Sequence, residues 1–311
     1  MSAHKKSKSK SKPFMLILAA ILGVGSFSTL MYVLSRGHAI PLLDPKGFIA
    51  DEQYRLLIVS TGIMILFAAL VLFFIYFFAW RYRETRQTHT PNPNAGRSKL
   101  LLAVAWLAPI SIFFLLSSIM LPATQKLEPQ KAIDSDKEQL TIRVIAMRWK
   151  WVFLYPEQDI ATVNFVQIPV DTPVRFELTA DEAPMNGFWI PHLGGMLYAM
   201  TEHVNPLNLI AHTEGDYEGG ASEINGHGFA GMRFTARVSS ADEFKDWAAQ
   251  AQQAPELGAN EYQDLLKPSE YHPVGTYYSP TNKELFDTML EKYAGSHSHY
   301  QINTEKEEQH E

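Results

Sequence analysis

Two stretches of the chain concentrate the side chains best suited to chemistry. Gly219 to Met232 reads GGASEINGHGFAGM and sets Glu223, His227 and Met232 within one loop-sized span, while Met185 to Gly195, MNGFWIPHLGG, contributes His192. Carboxylate, imidazole and thioether are all metal ligands. The sequence has no cysteine, which removes thiolate ligation, disulfides and an acylated cysteine together. Two neutral imidazoles without thiolate or carboxylate partners at ligand spacing make a weak site. The ordinary reading of His192 and His227 is a solvated loop, and His297 and His299 near the C-terminus read the same way. No catalytic, cofactor-binding or metal-ligating residue is assigned from the sequence.

The elements that must carry these stretches are strands. Apolar residues alternate at Leu140, Ile142 and Val144 and again at Val174, Phe176 and Leu178, the period of a half-buried strand. Breaks at Pro156, Pro169, Asp171, Pro173, Pro191, Gly215 and Gly219–Gly220 cut the region into short pieces, which suits an all-β sandwich or barrel over residues 138–238. From 240 to 300 the pattern turns helical. Ala241–Ala251 starts at a Ser or Asp cap and shows Phe244 and Trp247 on one face. The aromatics Tyr262, Tyr271, Tyr277, Tyr278, Phe286 and Tyr293 read either as packing back onto the sandwich or as a contact surface for another subunit. Residues 301–311 are expected to be disordered.

The N-terminal part belongs to a membrane. Apolar runs from Pro13 to Ser35, Leu56 to Trp80 and Leu100 to Gln125 contain no Asp, Glu, Lys or Arg, and each is long enough to span. In the second run sixteen residues are Leu, Ile, Val or Phe, which favours insertion by about 6 kcal/mol. Residues 1–39 hold a basic N-terminus (Lys5, Lys6, Lys8, Lys10, Lys12) and either a signal peptide cut after Ala39 or a first membrane anchor. Residues 40–125 form a transmembrane hairpin, with helices at about 56–80 and 100–122. The loop 81–99 carries Arg81, Arg83, Arg86, Arg97 and Lys99 and should be cytoplasmic, which puts everything after Pro122 in the periplasm. Net charge is −6, and the basic residues sit beside apolar runs as topology signals, so no nucleic-acid partner is expected.

Two pieces of sequence carry a family resemblance. The run RWKWVFLYPEQ, Arg148 to Gln158, resembles subunit II of haem-copper respiratory oxidases, and GGASEINGHGFAGM is similar to the copper-binding loop of cytochrome c oxidase subunit II with its ligands changed. In that loop the two thiolate positions fall on Ala221 and Asn225 and the imidazole position on Phe229, while Glu223 and Met232 remain. The family's other imidazole position falls on Asn186. Bridging thiolates are what let two coppers share charge, so the resemblance is to the branch without the centre, the cytochrome bo type of ubiquinol oxidase subunit II. IPLLDPKG (40–47), FAWRYR after the second run, YPEQDIATVN and PSEY (268–271) extend it over about residues 40–300.

The resemblance implies a cupredoxin-like sandwich on a membrane hairpin, in a bacterial inner membrane complex of the aerobic respiratory chain. Subunit I would oxidize quinol, hold the haem and copper, reduce oxygen to water and pump protons. This chain would carry none of those cofactors and would stabilise subunit I, with further small subunits and the lipid bilayer as its other partners. Trp80 and Trp106 would sit at membrane interfaces, and Trp149 and Trp151 would pack between the sandwich and subunit I. The family's proton-path carboxylate position falls on Leu102, which implies that proton entry is arranged by subunit I. The alternative is a membrane-tethered cupredoxin-shaped binding or assembly module outside an oxidase.

Overall fold

Strand β1 (Leu140–Met147) and strand β5 (Val174–Ala180) show how the alternation is used. They pair in parallel with Leu140 opposite Val174, Ile142 opposite Phe176 and Val144 opposite Leu178, so the apolar rows of the two strands coincide on one face. The computed structural model describes residues 23–32, 40–82, 99–183, 185–279, 281 and 285–294. The Lys5–Lys12 cluster, most of the first apolar run with its possible cleavage point, Arg83, Arg86, Arg97, His297, His299 and the 301–311 tail lie outside them.

The chain divides into a unit over residues 1–44 and a unit over 45–311. In the first, residues 23–32 form helix α1 and Pro41–Leu43 a 3-10 turn. The second opens with helix α2 (Phe48–Arg81) and helix α3 (Lys99–Lys126), both long and apolar enough to cross a membrane. Nearly all side chains along both apolar stretches are exposed in the isolated chain, the opposite of a soluble core helix.

The strands follow as β2 (Lys150–Tyr155), β3 (Ile160–Val163), β4 (Phe165–Pro169), β6 (Asn186–Ile190), β7 (Gly194–Ala199), β8 (Asn205–Leu209), β9 (Gly215–Ala221), β10 (Arg233–Ser239) and β11 (Thr276–Tyr278). They form a six-stranded sheet in the order β11-β3-β2-β1-β5-β8 and a five-stranded sheet in the order β4-β10-β9-β6-β7. The shared core is aromatic at its centre. Phe188 and Phe234 stack at 5.1 Å between ring centres, with Trp151 edge-on to Phe188 at 5.2 Å and Phe153 edge-on to Phe234 at 5.1 Å.

Strand β2 does not alternate, because both of its faces are covered. Trp151, Phe153 and Tyr155 enter the sandwich, while Val152 and Leu154 join Ile145, Met147 and Val163 under the C-terminal helices. Those helices are α4 (Ala241–Ala251), α5 (Ala259–Leu266) and α6 (Leu285–Ala294). Helix α4 starts at Ser240, whose hydroxyl accepts from the Glu243 amide while the Glu243 carboxylate accepts from the Ser240 amide, two donors of the first turn satisfied reciprocally. Leu257, Tyr262, Leu265, Leu266, Phe286 and Met289 cover the outer face of the six-stranded sheet. The tail aromatics Tyr262, Tyr277, Tyr278, Phe286 and Tyr293 therefore pack onto the sandwich, while Tyr271 is exposed.

Helix α2 begins before its apolar run for a tertiary reason. The Lys46 amide donates to His192 O at 2.8 Å, Phe48 N to Ile210 O at 3.1 Å and Ala50 N to Leu193 O at 3.2 Å, and Ile49 is buried in the sandwich core. At the far end of the hairpin Lys126 donates to Glu52 at 2.8 Å. The first turn of helix α2 is part of the β domain.

Candidate functional site: a loop at the copper-ligand positions

Residues 221–232 leave β9 at Ala221, pass through Asn225, form a 3-10 turn over His227–Gly231 and enter β10 after Met232. The ladder that continues past Ala221, with Ala221 N donating to Met232 O at 3.2 Å, closes the loop on itself. The Ser222 amide then donates to Gly187 O at 2.9 Å and ties the loop to β6. This brings three of the matched positions together. The Asn225 side-chain amide donates to the Asn186 side-chain oxygen and, at 3.0 Å, to the Met232 sulfur. Asn186 and Met232 are buried. Asn225 Oδ1 and Ser222 Oγ are buried with no hydrogen-bond partner among the described residues.

The other matched positions point elsewhere. Ala221 offers only a methyl group, and Phe229 is half-buried in the 3-10 turn. Glu223 accepts a hydrogen bond from the Tyr198 hydroxyl, and that bond raises Tyr198 above the ordinary tyrosine range. His227 is exposed. His192 lies in the β6–β7 turn with its ring tilted over Tyr217 at 5.3 Å, away from the loop. No cluster of three or more His, Cys, Asp or Glu side chains at metal-binding spacing occurs among the described residues. Leu102 is exposed near the start of α3.

The tryptophans divide, and this corrects one expectation. Trp151 is fully buried among Phe188 and Phe234 and cannot lie between the sandwich and another subunit. Trp149 sits on the loop. Its indole Nε1 donates to Asn225 O at 3.4 Å, and a Cβ on Gly228 would fall 2.3 Å from the ring. Trp149 has φ +66°, a left-handed backbone that a bulky residue rarely adopts, so seating the ring on two glycines, Gly226 and Gly228, is how the turn is held. A cavity of about 350 Å³ beside it is lined by Met147, Arg148, Trp149, Asn186 and Asn225.

Between these tryptophans lies a residue that sequence reasoning passed over. Lys150 is buried and donates to Leu265 O and Lys267 O, both at 2.7 Å. Burial lowers its pKa from the ordinary lysine value. A second clasp centres on buried Asp181, which accepts from Tyr262 at 2.7 Å, Tyr293 at 2.6 Å and Lys292 at 3.1 Å. Burial opposes the Lys292 charge, but hydrogen bonds to Glu182 and Asp181 hold its pKa above the usual range. Lys150 inside the aromatic run RWKWVFLY is the local signal that the first clasp leaves, whereas Asp181 stands beside Glu182, outside any such run, and leaves none.

These features define a class: a membrane-anchored protein whose two-sheet β domain holds hydrogen-bonded amides at the positions that the sequence resemblance matches to copper ligands. Residues 251–297 match the COX Aromatic Rich Motif family model. The chain is 41% identical over 255 residues to the cytochrome bo(3) ubiquinol oxidase subunit 2 of Pseudomonas putida, covering 82% of this chain and 81% of that one. It is 34% identical over 280 residues to the ubiquinol oxidase subunit 2 of Acetobacter aceti, covering 89% and 90%. The periplasmic domain of subunit II of cytochrome oxidase from Bradyrhizobium japonicum aligns with 40% of this chain and 98% of that structure, at 23% identity and a TM-score of 0.37. The chain belongs to the ubiquinol oxidase subunit 2 family of the haem-copper oxidases.

Proposed function

We propose that this chain is the non-redox subunit II of a proton-pumping quinol oxidase, with no catalytic residue of its own. In this reading residues 40–125 anchor it in the bacterial inner membrane as a hairpin, and the 138–238 domain with its 240–300 tail stands in the periplasm against subunit I. The observation that carries the reading is the hydrogen-bonded Asn225, Asn186 and Met232 at the copper-ligand positions. An amide nitrogen has its lone pair delocalised into the carbonyl and is not a metal ligand like thiolate or imidazole. A quinol dissolved in lipid delivers electrons within the membrane, so the haem and copper of subunit I need no periplasmic relay.

The test is to solubilise membranes mildly, capture the chain by an affinity tag, and record haem spectrum, copper content and oxygen uptake with quinol and with reduced cytochrome c. Haem, copper at the level of subunit I alone and quinol-driven uptake are expected. Capture without haem, or uptake driven by cytochrome c, would overturn the reading.

A further inference from the structure

We propose that Asn225 is a site of spontaneous deamidation through a succinimide, and that its conversion releases the loop at the copper-ligand positions. The inference rests on the chemistry of the loop and stands whether or not the quinol oxidase reading holds.

Asn-Gly occurs at two places in the sequence, Asn186–Gly187 and Asn225–Gly226, and the structure puts the same dipeptide in opposite environments. Glycine in second position lets its backbone nitrogen reach the preceding side-chain carbon, because no Cβ stands in the way. Asn186 and Gly187 are buried inside β6, with Gly187 opposite Tyr198 in the ladder and its carbonyl taken by the Ser222 amide at 2.9 Å. That backbone cannot rotate to close a ring. Gly226 is exposed, lies between β9 and the 3-10 turn with φ +123°, and its N–H finds no acceptor among the described residues. Its nitrogen is free to react. The Asn225 side chain is held through its NH2 group alone, since no donor reaches Oδ1 among the described residues.

The step needs base and water alone. Hydroxide takes the Gly226 amide proton, the nitrogen attacks Asn225 Cγ, a C–N bond forms, and the Cγ–Nδ2 bond breaks to release ammonia. Water then opens the five-membered imide at either carbonyl, giving aspartate or isoaspartate without any change of oxidation state. The group that leaves is the one that donates to Asn186 and Met232. A carboxylate in its place only accepts, so the two hydrogen bonds that the Asn225 NH2 gives to Asn186 Oδ1 and the Met232 sulfur are lost. Trp149, whose indole bonds to Asn225 O and rests on Gly226, loses its seat with the loop.

The purified membrane complex is incubated at mildly alkaline pH beside a synthetic peptide of residues 219–232, and peptides are mapped by mass spectrometry that resolves isoaspartate. Aspartate and isoaspartate should appear at position 225 at a rate comparable to that in the peptide, with Asn186 unconverted and no product at 225 in an Asn225→Gln chain. Asn225 intact after the peptide has fully converted, or Asn225 and Asn186 converting together as in an unfolding chain, would overturn the site. The consequence is read separately in the Asn225→Asp chain, where limited proteolysis should cut within 221–232 faster than in the wild type; equal cutting would sink the proposed release of the loop.

Discussion

The Lys150 ammonium donates to the Leu265 carbonyl at 2.7 Å and joins residues 115 positions apart in the chain. Leu265 lies in the last turn of α5, where backbone carbonyls lack helical partners, and a cation there also opposes the helix dipole. Lys150→Met keeps the volume and removes the donors. The Leu265 carbonyl left buried without its donor costs about 1–3 kcal/mol, so the tail should detach before the sandwich unfolds. Limited proteolysis of the complex checks this, with cleavage after residue 250 rising in the variant; wild-type resistance would deny the clasp its role.

Acid should loosen the same contact. Burial, and then the nearby Lys150 charge, hold His272 below the ordinary histidine range. As pH falls through about 6.5, the unfolded chain takes up a proton that the native state resists. Stability is therefore lost on acidification and recovered as pH rises, and His272→Gln should flatten that slope. Thermal unfolding of the complex from neutral pH down to about pH 5 measures it; equal slopes in both chains would remove His272 from the account.

Asp181→Ala should be among the most damaging tail substitutions. The Asp181 side chain is 2% exposed and gathers two tyrosine hydroxyls and Lys292. Removing one partner of a buried charged network costs about 3–5 kcal/mol, reduced here because Lys292 is 44% exposed and partly screened. Asp181→Asn, which keeps an acceptor, should lose less. Denaturant unfolding of the two variants gives the order, and the reverse order would contradict the geometry.

Trp149→Ala and Trp151→Ala should part company. Trp151 fills the aromatic core, and its truncation should cost about 3–5 kcal/mol. Trp149 is half-buried on the loop, and its loss should leave the sandwich folded while changing tryptophan emission. Equilibrium unfolding followed by far-UV circular dichroism separates the two effects; equal destabilisation would mean that the loop is part of the folding core.

Gly194→Ala should uncouple helix α2 from the β domain. Gly194 has φ +87°, and an added Cβ would lie 2.7 Å from the Ala50 amide nitrogen. Strain and backbone overlap act together, so the expected cost is above the roughly 1 kcal/mol of a left-handed alanine alone. Thermal unfolding of the full complex reads it, and an unchanged midpoint would show the junction to be pliable.

The sequence by itself determined what depends on local pattern. Uncharged runs such as Leu56–Trp80 are long and apolar enough to cross a membrane, the alternation at Leu140–Val144 and Val174–Leu178 selects strands, and Ser240 with Glu243 starts a helix wherever it lies. The lack of cysteine removed thiolate chemistry before any fold was known. Tertiary structure decided which residues share a neighbourhood, since that depends on contacts far apart in sequence. RWKW gave no sign that Trp149 seats on glycines of the 226–228 turn, Lys150 reaches α5 and Trp151 enters the core. Strand β2 hid its alternation because the tail covers its second face. Helix α2 starts at Phe48 because the sandwich supplies partners for its first amides. Asn186 and Asn225 could be recognised as absent ligands from their places in two motifs, but their mutual hydrogen bond needed β6 and the loop to be brought side by side.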